Sequence, residues 1–205
     1  MNSFTKRGEI AGPAGLLSIA VDTTTDLPTR GLAVVCHPNP QQGGTMDNKV
    51  VTTIARALTQ RGWRVVRFNY RGVGASEGAW DEGRGETDDA LAVIAAHRVS
   101  GEPLLVGGFS FGGFIAANAA MKLPEAERPQ RLVLVAPSTR ANAMPAVPPE
   151  TLVIHGEADD VVPLSATMDW ARPQALPIVV VPGAGHFFHG QLPLLKALVH
   201  RNFAD

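Results

Sequence analysis

The chain has 205 residues, 45% of them hydrophobic and 18% charged, with a formal net charge of −1. That size and balance fit one globular domain over 1–205 with a sizeable core, and they exclude a disordered chain. Lys and Arg are not clustered, which argues against nucleic acid or an anionic membrane as a partner.

No stretch approaches the roughly 18 apolar residues of a membrane span. The opening MNSFTKRGEIAGPAG lacks the apolar run of a secretory signal, so a cytoplasmic protein is expected. The one cysteine, Cys36, excludes an intramolecular disulfide. Its place in the apolar run from Leu32 points to a small buried strand residue rather than a reactive thiol.

Short apolar runs alternate with helix-period segments. Leu16 to Val21 reads as an early strand, paired with the segment before the Gly12-Pro13 turn, and Gly31 to Cys36 as a buried strand. Lys49 to Gln60 carries a one-sided stripe of Val50, Val51, Ile54, Ala55 and Leu58, a helix capped by Asp47 or Asn48 and stopped at Gly62. Arg64 to Asn69 is the next strand. Glu86 to Arg98 is a helix with an acidic first turn, which suits the helix dipole. Leu104 to Gly108 is predicted as a strand and Phe111 to Leu123 as a helix. Arg131 to Ala136 and Thr151 to His155 follow as strands, then a helix over Leu164 to Arg172, a strand over Ile178 to Val181 and a final helix over Gln191 to Phe203. Almost wholly apolar strands interleaved with helices imply an α/β fold: a mostly parallel, doubly wound sheet with helices on both faces.

In such a sheet, chemistry collects beyond the carboxyl ends of the strands. After the strand from Leu104 comes Gly108-Phe109-Ser110-Phe111-Gly112-Gly113, a G-x-S-x-G motif. A serine on a tight strand-to-helix turn needs small neighbours two positions away, and Gly108 and Gly112 supply them. A serine hydroxyl is a weak nucleophile at neutral pH. It needs a base, and the base needs an orienting group. Later strand ends offer both: Asp159 and Asp160 after His155-Gly156, and His186 and His189 after Pro182-Gly183-Ala184-Gly185.

Together, Gly108-x-Ser110-x-Gly112, His155-Gly156-x-x-Asp159-x-x-Val162-Pro163 and Gly185-His186 resemble the α/β-hydrolase superfamily over nearly the whole chain. The segment from His37 to Val51 resembles its small lidless bacterial members, such as dienelactone hydrolase and small carboxylesterases. The resemblance implies Ser110 as nucleophile and His186 as base. It implies Asp159, three residues past the glycine of His-Gly, as the orienting carboxylate in preference to Asp160. His189 then begins the final helix. It also implies two backbone oxyanion donors. One is the N–H of Phe111. The other lies in the loop after Cys36, where Pro38 and Pro40 have no N–H and Asn39 remains, with Gln41 or beyond as the alternative.

Trp80, Met144 and Phe187, with Phe111 and Phe188, are candidates for a substrate pocket, though aromatics beside such loops serve equally well as core. His37, His155 and Arg71 read as structural. Gly72-x-Gly74 lacks the third glycine of a dinucleotide site, having Glu77 in its place, and the sequence has no metal-binding pattern, so no cofactor and no metal are expected. Only Pro137 to Glu150 separates two strands where larger relatives insert a lid. The expected activity is therefore a serine esterase: hydrolysis of small carboxylic esters or thioesters, with a small-molecule ester as partner. Acyl transfer to another acceptor, or a non-catalytic scaffold of the same fold, are the alternatives. The oligomeric state is not written in the sequence.

Overall fold

In a computed structural model, residues 3–129 and 131–203 are described. Eight strands form one sheet in the order β1-β2-β4-β3-β5-β6-β7-β8. The chain enters through a hairpin of β1 (Ser3–Gly12) and β2 (Gly15–Thr24), and β2 pairs antiparallel with β4 (Trp63–Phe68). From β4 onward the sheet is parallel, through β3 (Gly31–Cys36), β5 (Leu104–Phe109), β6 (Leu132–Val135), β7 (Leu152–Gly156) and β8 (Ile178–Val181).

Both faces of the parallel part are covered, which is why its strands carry no polar alternation. The period of two is still present inside the apolar runs. Leu32, Val34 and Cys36 of β3, Val106 of β5 and Leu134 of β6 join one core layer, while Ala33, Val35, Leu105, Phe109, Val133 and Val135 join the other. The first layer packs under α2 (Arg84–His97) and α3 (Phe111–Lys122), with Ala171 of α4 (Leu164–Ala171). The second packs under α1 (Lys49–Thr59) and α5 (Leu192–Asn202), which contribute Val51, Ile54, Leu58, Leu195 and Val199.

Several boundaries differ from those read in the sequence. β1 reaches back to Ser3 and is exposed along almost its full length, so it has no apolar signature. α2 starts at Arg84, not Glu86. The Glu86 carboxylate turns back to accept the N–H groups of Asp81 and Gly83, satisfying donors that precede the helix. Asn48 rather than Asp47 caps α1, accepting from the Val50 N–H at 2.9 Å. Asp47 is engaged with Arg7 and Arg67. His189 does not begin the final helix. Gly190, with φ of 75°, lies between it and α5, whose first turn holds Pro193, where a missing N–H costs nothing.

Candidate active site

Three strand ends meet at one rim of the sheet. At the end of β5 the chain reverses through Ser110 into α3, with φ 56° and ψ −121°. That backbone region is sparsely populated for any side-chain-bearing residue and costs on the order of 1–3 kcal/mol. It persists because the surroundings fix it. The Ser110 N–H donates to the Val135 carbonyl at 3.0 Å, and the Ser110 carbonyl accepts from Gly113 and Ser138. The two glycines of the motif are required by contact. A Cβ on Gly108 would fall 2.1 Å from the Gly112 carbonyl oxygen, and one on Gly112 would fall 2.2 Å from that of Cys36. The start of α3 is thereby pressed against the end of β3.

The Ser110 Oγ lies 3.0 Å from His186 Nε2, and His186 Nδ1 lies 2.7 Å from Asp159 Oδ2. All three side chains are buried, with Ser110 at 8% exposure, which leaves the hydroxyl only a narrow approach from solvent. The imidazole is held on a ring platform, its centroid 4.9 Å from that of Phe109, while Phe187 meets it edge-on at 5.1 Å. Asp159 Oδ1 accepts from the N–H groups of Val161 and Val162, so Oδ2 is left for the histidine. Burial works to raise the Asp159 carboxyl, but the bond from His186 and the Val162 N–H outweigh it and hold the group below its ordinary range. Asp160, the neighbouring candidate, is exposed. His189 is also exposed and stacks on Phe187, with ring centroids 5.8 Å apart.

The loop after β3 forms a short 3-10 turn over Pro40–Gln42. Asn39 caps it through its side chain, and the Asn39 carbonyl accepts from Gln42 and Gly44. The loop is anchored from below by the one tyrosine of the chain. Tyr70 donates its hydroxyl to the His37 carbonyl at 3.0 Å and its N–H to His37 Nε2, and the two rings sit 4.0 Å apart. No spacing rule in the sequence pointed to Tyr70. The N–H of Phe111, first in α3, has no intrahelical acceptor. Cys36 is fully buried and its thiol is pushed up to about 12 by that burial, the opposite of a reactive thiol.

Among the pocket candidates, Trp80 is partly buried against Phe111, with ring centroids 5.1 Å apart. Met144 packs against the core layer under α2 and α3, whereas Phe187 is 44% exposed beside His186. Arg71 makes a bidentate ion pair with the buried Asp89, a structural role. A cleft of about 950 Å³ opens at the opposite pole of the molecule, lined by Trp63, Leu104, Arg131 and Phe203, which stand at or before strand starts or at the chain's end. It is remote from Ser110 and lies at the amino ends of the strands, where open parallel sheets do not gather their chemistry. Among the described residues, no helix is long and apolar enough to cross a membrane.

The sequence profile of the family described as serine aminopeptidase S33 matches residues 28–150. A lidless α/β serine hydrolase from Xanthomonas campestris is 38% identical, with a TM-score of 0.87 over 98% of this chain and 94% of its own. An α/β serine hydrolase homologue from Coxiella burnetii is 37% identical, with a TM-score of 0.86 over 97% of both chains. Among curated proteins, an uncharacterised Rickettsia prowazekii protein is 29% identical, covering 86% of this chain and 79% of that protein. A lysophosphatidylserine lipase of Danio rerio is 35% identical over 99 residues, and that match spans only 26% of the lipase. With a profile match across more than half its length and whole-chain likeness to lidless serine hydrolases, this chain belongs to the S33 serine aminopeptidase family of the α/β-hydrolase superfamily.

Proposed function

We propose that the chain is a serine esterase that hydrolyses small carboxylic esters or thioesters through an acyl-enzyme on Ser110. The observation that carries this reading is the unbroken relay from Ser110 Oγ to His186 Nε2 and from His186 Nδ1 to Asp159, at 3.0 and 2.7 Å. In the first half-reaction, Oγ bonds to the substrate carbonyl carbon as its proton passes to His186 Nε2. The tetrahedral intermediate then collapses, the C–O or C–S bond to the leaving group breaks, and His186 returns the proton to the departing alcohol or thiol. In the second half, water repeats the attack on the acyl-serine and releases the acid. Asp159 fixes the Nδ1–H tautomer and stabilises the imidazolium without taking the proton.

The backbone N–H groups of Phe111 and Asn39 are the proposed oxyanion donors. Their supporting observation is the tight approach of Gly112 to the Cys36 and His37 carbonyls, which sets the start of α3 beside the Asn39 loop. Each such donor typically contributes about 10²–10³ in rate.

The test is covalent labelling with a fluorophosphonate, alongside burst kinetics on p-nitrophenyl acetate. The wild-type chain should label at Ser110 and show a burst. Ser110→Ala should abolish labelling and lower turnover by on the order of 10⁶. Undiminished turnover in Ser110→Ala would overturn the reading.

A further inference from the structure

We infer that His155 is a positioning residue that fixes the Asp159 carboxylate behind His186, acting as a neutral imidazole with its proton on Nε2. This rests on the acyl-enzyme reading above.

His155 stands in β7, fully buried. Its Nε2 lies 2.8 Å from the Val162 carbonyl oxygen and 3.4 Å from Asp159 Oδ2. A carbonyl oxygen only accepts, so Nε2 must carry hydrogen. The other ring nitrogen, Nδ1, is buried with no hydrogen-bond partner among the described residues. A second proton there would be an unsatisfied buried donor on a charged ring, so the imidazole stays neutral. Burial acts on it in the same direction.

The consequence is a closed strap. The turn from Asp159 to Val162 is tied on one side by the Val161 and Val162 N–H groups, which both donate to Asp159 Oδ1. It is tied on the other by the Val162 carbonyl, which accepts from His155. Oδ2 therefore points at His186 Nδ1, with the His155 N–H dipole alongside it. The titratable groups acting on His155 are Asp159 and His186 themselves. Replacing His155 frees the Val162 carbonyl and one side of the strap, and the carboxylate loses its fixed direction.

Three substitutions separate this from simple packing. His155→Gln can place an amide N–H near the Nε2 position; His155→Asn places one near Nδ1; His155→Leu has none. The readout is ester turnover per active site, the sites being counted by fluorophosphonate titration. We expect kcat to fall roughly 10–100-fold in His155→Leu and His155→Asn, the penalty of a misplaced catalytic group. KM should stay within about twofold, and His155→Gln should recover kcat to within about threefold of wild type. A wild-type kcat per titrated site in His155→Leu would overturn the inference. If the variants do not fold, ¹⁵N-histidine NMR on the wild-type protein decides instead: His155 should appear protonated at Nε2 and bare at Nδ1. A proton on Nδ1 at neutral pH overturns the inference. A wild-type protein that neither labels nor turns over ester would defeat the acyl-enzyme reading instead, and the NMR result would still decide the state of the ring.

Discussion

His37 shows how a buried titratable residue ties the proposed oxyanion loop to solution conditions. Its Nε2 accepts from the Tyr70 N–H at 3.2 Å and its Nδ1 donates to the Pro38 carbonyl at 2.7 Å, which requires the neutral Nδ1–H tautomer. A proton on Nε2 would face the Tyr70 N–H, donor against donor, in a fully buried site. Burial accordingly pushes His37 from 6.5 down to about 4. Between those two values the unfolded chain binds a proton that the folded chain refuses, so stability rises with pH across the window and is lost as pH falls through it. A displacement of that size is worth on the order of 3 kcal/mol. Urea unfolding at pH 7 and pH 4.5 should show wild-type stability dropping on acidification. His37→Gln keeps an acceptor near Nε2 but cannot titrate, and should show a drop smaller by about 1–3 kcal/mol. An equal drop in both proteins would assign the acid sensitivity to other groups.

At the scale of elements, α1 depends on a short cap. Asn48 accepts from the Val50 N–H, and Thr53 donates its hydroxyl to the Lys49 carbonyl one turn on. The helix then buries Val51, Ile54 and Leu58 in the core layer shared with α5. Asn48→Ala should cost about 1 kcal/mol, read as a lower thermal midpoint with unchanged ester turnover. Elements of this kind were legible in the sequence because apolar spacing, caps and stop glycines all point the same way. The hairpin across the Gly12–Gly15 turn was expected too, but not the reach of β1 back to Ser3, because an exposed edge strand needs no apolar face and only its pairing to β2 makes that stretch a strand. At the candidate site, the meeting of Ser110, Asp159 and His186 was expected from motif and chain order, and the structure brings the three side chains together. The tie between Tyr70 and His37 and the strap from His155 to Val162 were not, because both pair a side chain with backbone N–H or carbonyl groups, which leave no mark on side-chain patterning. The core and site contacts that did leave a mark are the glycine pair, where only a bare Cα fits against the Gly112 and Cys36 carbonyls.

For the whole molecule, the connection between β6 and β7 governs what the site can hold. It runs only from Ala136 to Thr151 and contains no helix among the described residues, so no separate layer covers the rim where Ser110 opens. The exposed Phe187 ring beside His186 offers one apolar surface to a bound acyl or leaving group. A substrate chain longer than that surface must run out into water. Each methylene that a covered site buries contributes about 0.8 kcal/mol, or about fourfold in kcat/KM when the gain is kept in the transition state. Methylenes left in water contribute nothing. A series of p-nitrophenyl esters from acetyl to octanoyl should therefore show kcat/KM levelling or falling beyond butyryl, with no increase when the substrate forms aggregates. A continued rise of about fourfold per methylene through octanoyl would mean that the protein closes an apolar surface over its substrate, which the short β6–β7 connection argues against.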